Sequence, residues 1–215
     1  MRLSELVPHT SRWTGIPETQ VKTVARVLQP AGLISSAGKN PRGVEMTIDD
    51  KVNLLLGSCG VEIANRAAEY VRVWRRSVRD SSPRYAHLKF AFLEANTVPD
   101  LILNLIMKDL NGGALTAWLR QAEMASKTKN HTVTLDFYVD AFALELIVSR
   151  NEFNTDIGGR NAKVTTHPIS VKFMPSTESL DALPHKKSDE YEASSDLIRR
   201  LHEKNLVGWG RCLSE

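Results

Sequence analysis

Apolar residues fall at Val21, Val24, Ala25 and Leu28, the i, i+3, i+4, i+7 spacing of one helical face. Thr19, Gln20, Lys22, Thr23 and Arg26 occupy the opposite face. The spacing predicts a helix over Pro17–Leu28, with Pro17 at the first position, where a missing N–H costs nothing. Ser4–Trp13 predicts a shorter helix before it, with Leu6, Val7 and Trp13 as core contacts and Pro8 in its first turns. Thr14-Gly15-Ile16 reads as the turn between them, Gly15 being free to take positive φ. Pro30-Ala31-Gly32 stops the second helix. Leu33-Ile34 predicts a strand and Val44–Thr47 its return, around a Gly-, Asn- and Pro-rich tip that carries Lys39 and Arg42.

Further along, Thr47 caps a helix with acids in its first turn, running to about Leu56 and broken by Gly57-Ser58-Cys59-Gly60. A second helix extends to about Arg79, with Ile63, Ala67, Val71, Trp74 and Val78 on its apolar side. Arg72, Arg75, Arg76 and Arg79 then share one face. Thr97–Leu110 and Ala114–Lys127 predict two helices joined by Asn111-Gly112-Gly113, an antiparallel pair. Thr132–Val139 alternates as a half-buried strand. Phe142–Val148 and Lys163–Met174 supply two more, with Pro168 confining the last to an edge or a late start. Asn151–Asn161 is a loop and Ser176–Ser195 a mobile polar linker. Asp196–Asn205 closes as a short helix capped by Ser195, with Leu197, Ile198 and Leu201 on one side. It can dock on its own chain or on a neighbouring subunit.

The elements define an α+β chain. Residues 1–80 form a winged helix-turn-helix unit with supporting helices. Residues 81–175 form an oligomerisation or effector region with a small antiparallel sheet, and residues 176–215 a linker and docking helix. Composition adds a polarity. Residues 1–90 hold 14 Lys and Arg against 8 Asp and Glu, whereas residues 91–215 hold 14 against 17. A basic front and a mildly acidic back suit a DNA-binding front and a partner-binding back. The polar face of the second helix is able to meet base edges and phosphates, and Lys39 and Arg42 to hold a phosphate backbone or minor groove.

The stretch TGIPETQVKTVARVLQPAGLI resembles the pattern of winged helix-turn-helix transcription regulators, in which a T-G-[IV] turn precedes the recognition helix and an AGLI-type end leads into the wing. It is also similar in character to small phage or prophage regulators of bacteria. The resemblance covers about a fifth of the chain. It implies a recognition helix in the major groove, with Thr19, Gln20, Lys22, Thr23 and Arg26 facing DNA. The pattern departs in one respect: no leading helix of the trihelical core precedes the first helix, so support must come from downstream, for example from Ile48–Leu56. Arg72, Arg76 and Arg79 would widen the footprint on phosphates, or form a solvated helix face. The expectation is a sequence-specific regulator of double-stranded DNA, a homodimer on a roughly palindromic operator. The alternatives are a protein-interaction module and a phage-type replication or packaging protein.

Rival chemistry finds little footing. There is no P-loop, dinucleotide fingerprint or zinc-protease helix. The six histidines share no ligand spacing, and Cys59 and Cys212 are too few for a disulfide framework or zinc site. Cys59 in its Gly-Ser-Cys-Gly turn lacks a nearby base and reads as a small buried residue. Asp136, Asp140 and Glu145 read as solvated strand and turn acids. The expectation is therefore no catalytic residue, no metal and no cofactor. With no secretory leader and no apolar run of about 18 residues, a cytoplasmic protein with no membrane partner is expected.

Overall fold

A computed structural model describes residues 1–36, 44–80, 88–126, 131–139, 142–155, 162–176 and 198–213. The first two helices form as their periodicity dictates. Helix α1 spans Leu3–Thr14 and α2 spans Glu18–Leu28. Leu6 and Val7 of α1 are buried, as are all four apolar positions of α2. Pro17 sits one place earlier than its sequence position suggests, as the N-cap of α2. Gly15, at φ 75°, ends α1 in the left-handed region that an L-residue resists.

Helix α3 runs Ile48–Cys59 under a reciprocal cap: the Thr47 hydroxyl accepts from the Asp50 N–H, and the Asp50 carboxylate accepts from the Thr47 N–H. The Gly57-Ser58-Cys59 stretch does not break it. Gly57 lets the backbone of α3 lie against Val24 and Val71, and Gly60 is the C-cap. A 3-10 turn at Ala64–Arg66 leads into α4, Ala67–Arg76. Ala67, Val71 and Trp74 are buried as predicted, but Ile63 and Val78 lie outside the helix and are exposed. The chain instead enters a short strand β1, Val78–Arg79.

After a 3-10 turn at Ala91–Glu94, Thr97 caps α5, Val98–Leu103, which continues as a π-helical stretch, Asn104–Leu110. The buried Asp109 of that stretch accepts from the N–H groups of Ala91 and Phe92 (3.0 and 2.7 Å) and so ties the 3-10 turn to it. Helix α6 spans Ala114–Ser126.

Strands β2 (His131–Tyr138), β3 (Ala143–Thr155), β4 (Ala162–Met174) and β5 (Ile198–His202) complete a five-stranded antiparallel sheet in the order β1-β4-β3-β2-β5. Three expectations change here. β2 is an interior strand, and its second face is buried as well at Thr134 and Asp136, where Arg200 of β5 forks onto Asp136. β3 runs on through Asn151–Thr155 in place of a loop; Gly158-Gly159 lie outside the described residues. Ile198–His202 is a strand, not the first half of a helix, and the final helix α7 is Glu203–Gly210. Residues 177–197, including most of the expected linker, lie outside the described residues. Pro168 stands where β4 pairs only with β3 among the described residues, as its lack of an N–H requires.

One face of the sheet meets the helices through Val133, Leu135, Phe137, Leu144, Leu146, Val148, Ile169, Val171, Phe173 and Leu201, all buried. Trp74 of α4 packs edge-on against Phe137 (5.8 Å), and Phe142 fits between Tyr70 and Trp74. Buried side chains from Leu6 to Leu213 form one continuous cluster. Among the described residues no helix is long and apolar enough to cross a membrane.

Candidate nucleic-acid interface

Helix geometry sorts the residues of α2. With about 100° between successive positions, Thr19, Lys22, Thr23 and Arg26 converge on one direction while Gln20 stands roughly 100° away. Burial follows that division. Thr19, Lys22 and Arg26 are exposed and Thr23 is partly so, its hydroxyl donating to the Thr19 carbonyl (2.9 Å). Lys22 meets Glu18 at 2.7 Å, a pair exposed on both sides and so weakly held. Gln20 is half-buried and turns toward a cleft at the α1–α2 turn, so its expected place on the outer face is corrected.

The predicted wing is not built from its flanks. Leu33 N–H donates to the Leu28 carbonyl, Leu33 carbonyl accepts from Asn53 Nδ2 (2.6 Å), and Ser35 N–H donates to Asp50 (2.9 Å). Ile34 is buried in the core. These bonds tie the segment to α2 and α3, and Leu33-Ile34 forms a bend in place of the expected strand. On the return side, Glu45 bridges to Arg2 and Met46 N–H donates to the Met1 carbonyl. Lys39 and Arg42 lie outside the described residues.

The arginine stripe divides in three. Arg72 and Arg76 stand one turn apart on the exposed face of α4, and Arg72 donates to the Ala31 carbonyl (3.4 Å), which places it against the loop that follows α2. Arg75 turns inward to α3, bonding Asp49 (3.2 Å) and Asn53 (2.8 Å). Arg79 is on β1, not on the helix. It is half-buried, donates to the Phe92 carbonyl (3.3 Å), and burial lowers its pKa from the usual guanidinium value. Its expected place beside Arg72 and Arg76 is corrected.

The support that α1 and α2 need comes from two places. α3 packs against α2, as the pattern suggested. The other support is α7, from the far end of the chain. Asn205 donates to the Trp13 carbonyl (2.6 Å), Trp209 Nε1 donates to Thr10 (3.3 Å), and His9 donates to the Trp209 carbonyl (3.2 Å). Gly208 lies against the Trp13 ring so closely that a Cβ there would stand 2.3 Å from it. Lys51 of α3, almost wholly buried, donates to the Cys212 carbonyl.

The chemically active side chains elsewhere are occupied. Cys59 is buried, and burial pushes its thiol up to about 12. Asp136 and Glu145 are register partners on β2 and β3, but each is engaged. Arg200 forks onto Asp136 (2.7 and 2.6 Å), and Tyr138 and Ser170 donate to Glu145 (3.1 and 2.5 Å). Burial and the two neighbouring carboxylates raise the Tyr138 pKa. Asp140 lies outside the described residues. Among the described residues no cluster of three metal-ligating side chains occurs. No family model, curated protein or solved structure matches the chain.

Proposed function

We propose that the protein is a sequence-specific regulator that binds double-stranded DNA through α1, the Gly15 turn and α2. The observation that carries this reading is the two-faced α2. Its apolar side is locked against α1 and α3, while Thr19, Lys22, Thr23 and Arg26 line its outward face, on a rigid element next to a three-residue turn. In this reading α2 enters the major groove, Arg72 and Arg76 meet the flanking backbone, and a homodimer reads two half-sites about one helical turn apart. The wing part of the expectation is set aside for Leu33-Ile34, whose backbone serves α2 and α3.

The test is a fluorescence anisotropy titration of labelled duplexes across salt concentrations, followed by footprinting on genomic fragments. Lys22→Ala with Arg26→Ala should weaken binding and flatten the dependence of log K on log salt by up to about 1.8, two lost phosphate contacts at about 0.9 each. An unchanged slope with intact binding would remove α2 from the interface. The exposed Ile48 and Ile63 favour one competing reading, a protein-docking module. That reading requires partner capture that is insensitive to salt and to nuclease.

A further inference from the structure

A shallow cleft of about 280 Å³ opens at the α1–α2 turn, between Pro17 and Gln20 on one side and Arg199 and Arg200 of β5 on the other. The two arginines have their charge met differently. Arg200 is forked onto the buried Asp136. Arg199 instead donates through Nη1 to the carbonyls of Ser58 (2.5 Å) and Cys59 (3.5 Å), the last turn of α3. Among the described residues, Arg199 bonds the Ser58 and Cys59 carbonyls, both through Nη1, and no carboxylate. It is half-buried, and loss of hydration lowers its pKa from the ordinary guanidinium value.

A half-desolvated cation facing only carbonyl dipoles recovers part of its hydration energy, and an entering anion supplies the rest. Charge-assisted bonds from a guanidinium fork are the strong kind. A carboxylate is satisfied by one such fork. Here the lining side chains come from two elements, Arg199 from β5 and Gln20 from α2, around an open mouth, while the Arg200 guanidinium leaves the opposite face of the sheet to meet Asp136. That arrangement suits a tetrahedral oxyanion with acceptors on several sides. The mouth lies at the first turn of α2, beside Pro17 and Gln20.

We infer that this cleft binds a phosphate oxyanion, with Arg199 as its principal donor and Gln20 at its rim. Two sources share that chemistry: a backbone phosphate of a duplex lying on α2, and a free phosphorylated small molecule. The site itself does not depend on the DNA reading; only the first source does.

The decisive measurement uses the full chain and nitrogen-15 NMR of arginine side chains, with the Arg199 Nε–H signal assigned by its loss in Arg199→Lys. Inorganic phosphate should move that signal saturably, while sodium chloride at matched ionic strength should not. Equal movement with both salts, or none with either, overturns the proposal in the wild-type protein, with no appeal to a folding defect. A second arm separates the sources. If the phosphate is that of DNA, Arg199→Gln flattens the salt slope of duplex binding by about 0.9, and inorganic phosphate competes with the duplex. A saturable phosphate response with an unchanged slope supports the site and assigns it to a free phosphorylated ligand. If the protein binds no duplex at all, the functional reading fails while the phosphate titration still decides the cleft.

Discussion

At the scale of single residues, burial decides which side chains remain chemically available. Cys59 illustrates this. Its thiol is pushed from 9.0 to about 12 by burial, with the Arg199 charge opposing weakly. The folded state therefore disfavours the thiolate. The stability tied to this thiol is fully present below pH 9.0 and is lost as pH rises from there toward 12. Both cysteines should resist a thiol reagent such as Ellman's at pH 8 in the native protein and react on unfolding; rapid native labelling of Cys59 would contradict the assignment. The reading of Cys59 as a small buried residue was available from its neighbours, none of which is a base. The neighbours did not mark Arg199, Arg200 or Lys51. Their partners stand far away in sequence: Ser58 and Asp136 for the arginines, Cys212 for the lysine. Gln20 looked equivalent to Thr23 in a two-faced helix pattern, yet its position near the helix flank turned it into the cleft.

At the scale of elements, local signals specified the helices well and the loop after α2 poorly. Asp50 shows why. Thr47 and two acids mark the start of α3 in sequence, and the cap forms as that spacing dictates. The second oxygen of Asp50 reaches back to the Ser35 N–H, however, and no local pattern encodes that bond. It helps turn the predicted first wing strand into a loop laid on α3. Asp50→Ala removes a helix cap and leaves a partly buried N–H unpaired. Roughly 1 kcal/mol for the cap and about 1–3 kcal/mol for the orphan suggest a loss of about 2–4 kcal/mol in urea unfolding. A change below about 0.5 kcal/mol would mean that the loop does not depend on Asp50. The end of the chain carries a similar lesson. Leu197, Ile198 and Leu201 fit a helical stripe, but β2 offers a free edge with five register partners and a buried carboxylate for Arg200. Pairing with a distant strand outweighs weak local preference.

At the scale of the whole molecule, the last described elements hold the first ones in place. β5 extends the sheet, its Arg199 meets the last turn of α3, and α7 lies against α1. Leu206, Trp209, Cys212 and Leu213 are buried there. Three large apolar side chains at about 1.5–3 kcal/mol each amount to much of a domain's net stability, about 5–15 kcal/mol. Deleting residues 203–215 should abolish cooperative thermal unfolding and duplex binding together. A milder probe is Gly208→Ala, which forces the Trp13 ring aside and should cost about 1–3 kcal/mol. Normal cooperative melting of the truncated chain would show that α1 and α2 stand without α7.

The sequence by itself determined the α+β class, the helices α1, α2 and α3 within a few residues, the buried apolar face of α2, and the presence of the strands β2 to β4. Each of these depends on periodicity and capping, which are local. The tertiary structure alone decided that Leu33-Ile34 serves α3, that Arg79 leaves the arginine stripe, that β5 is a strand, and that α7 packs against α1. These outcomes depend on pairing between segments far apart in the chain, where the gain in burial and hydrogen bonding exceeds what any local preference opposes.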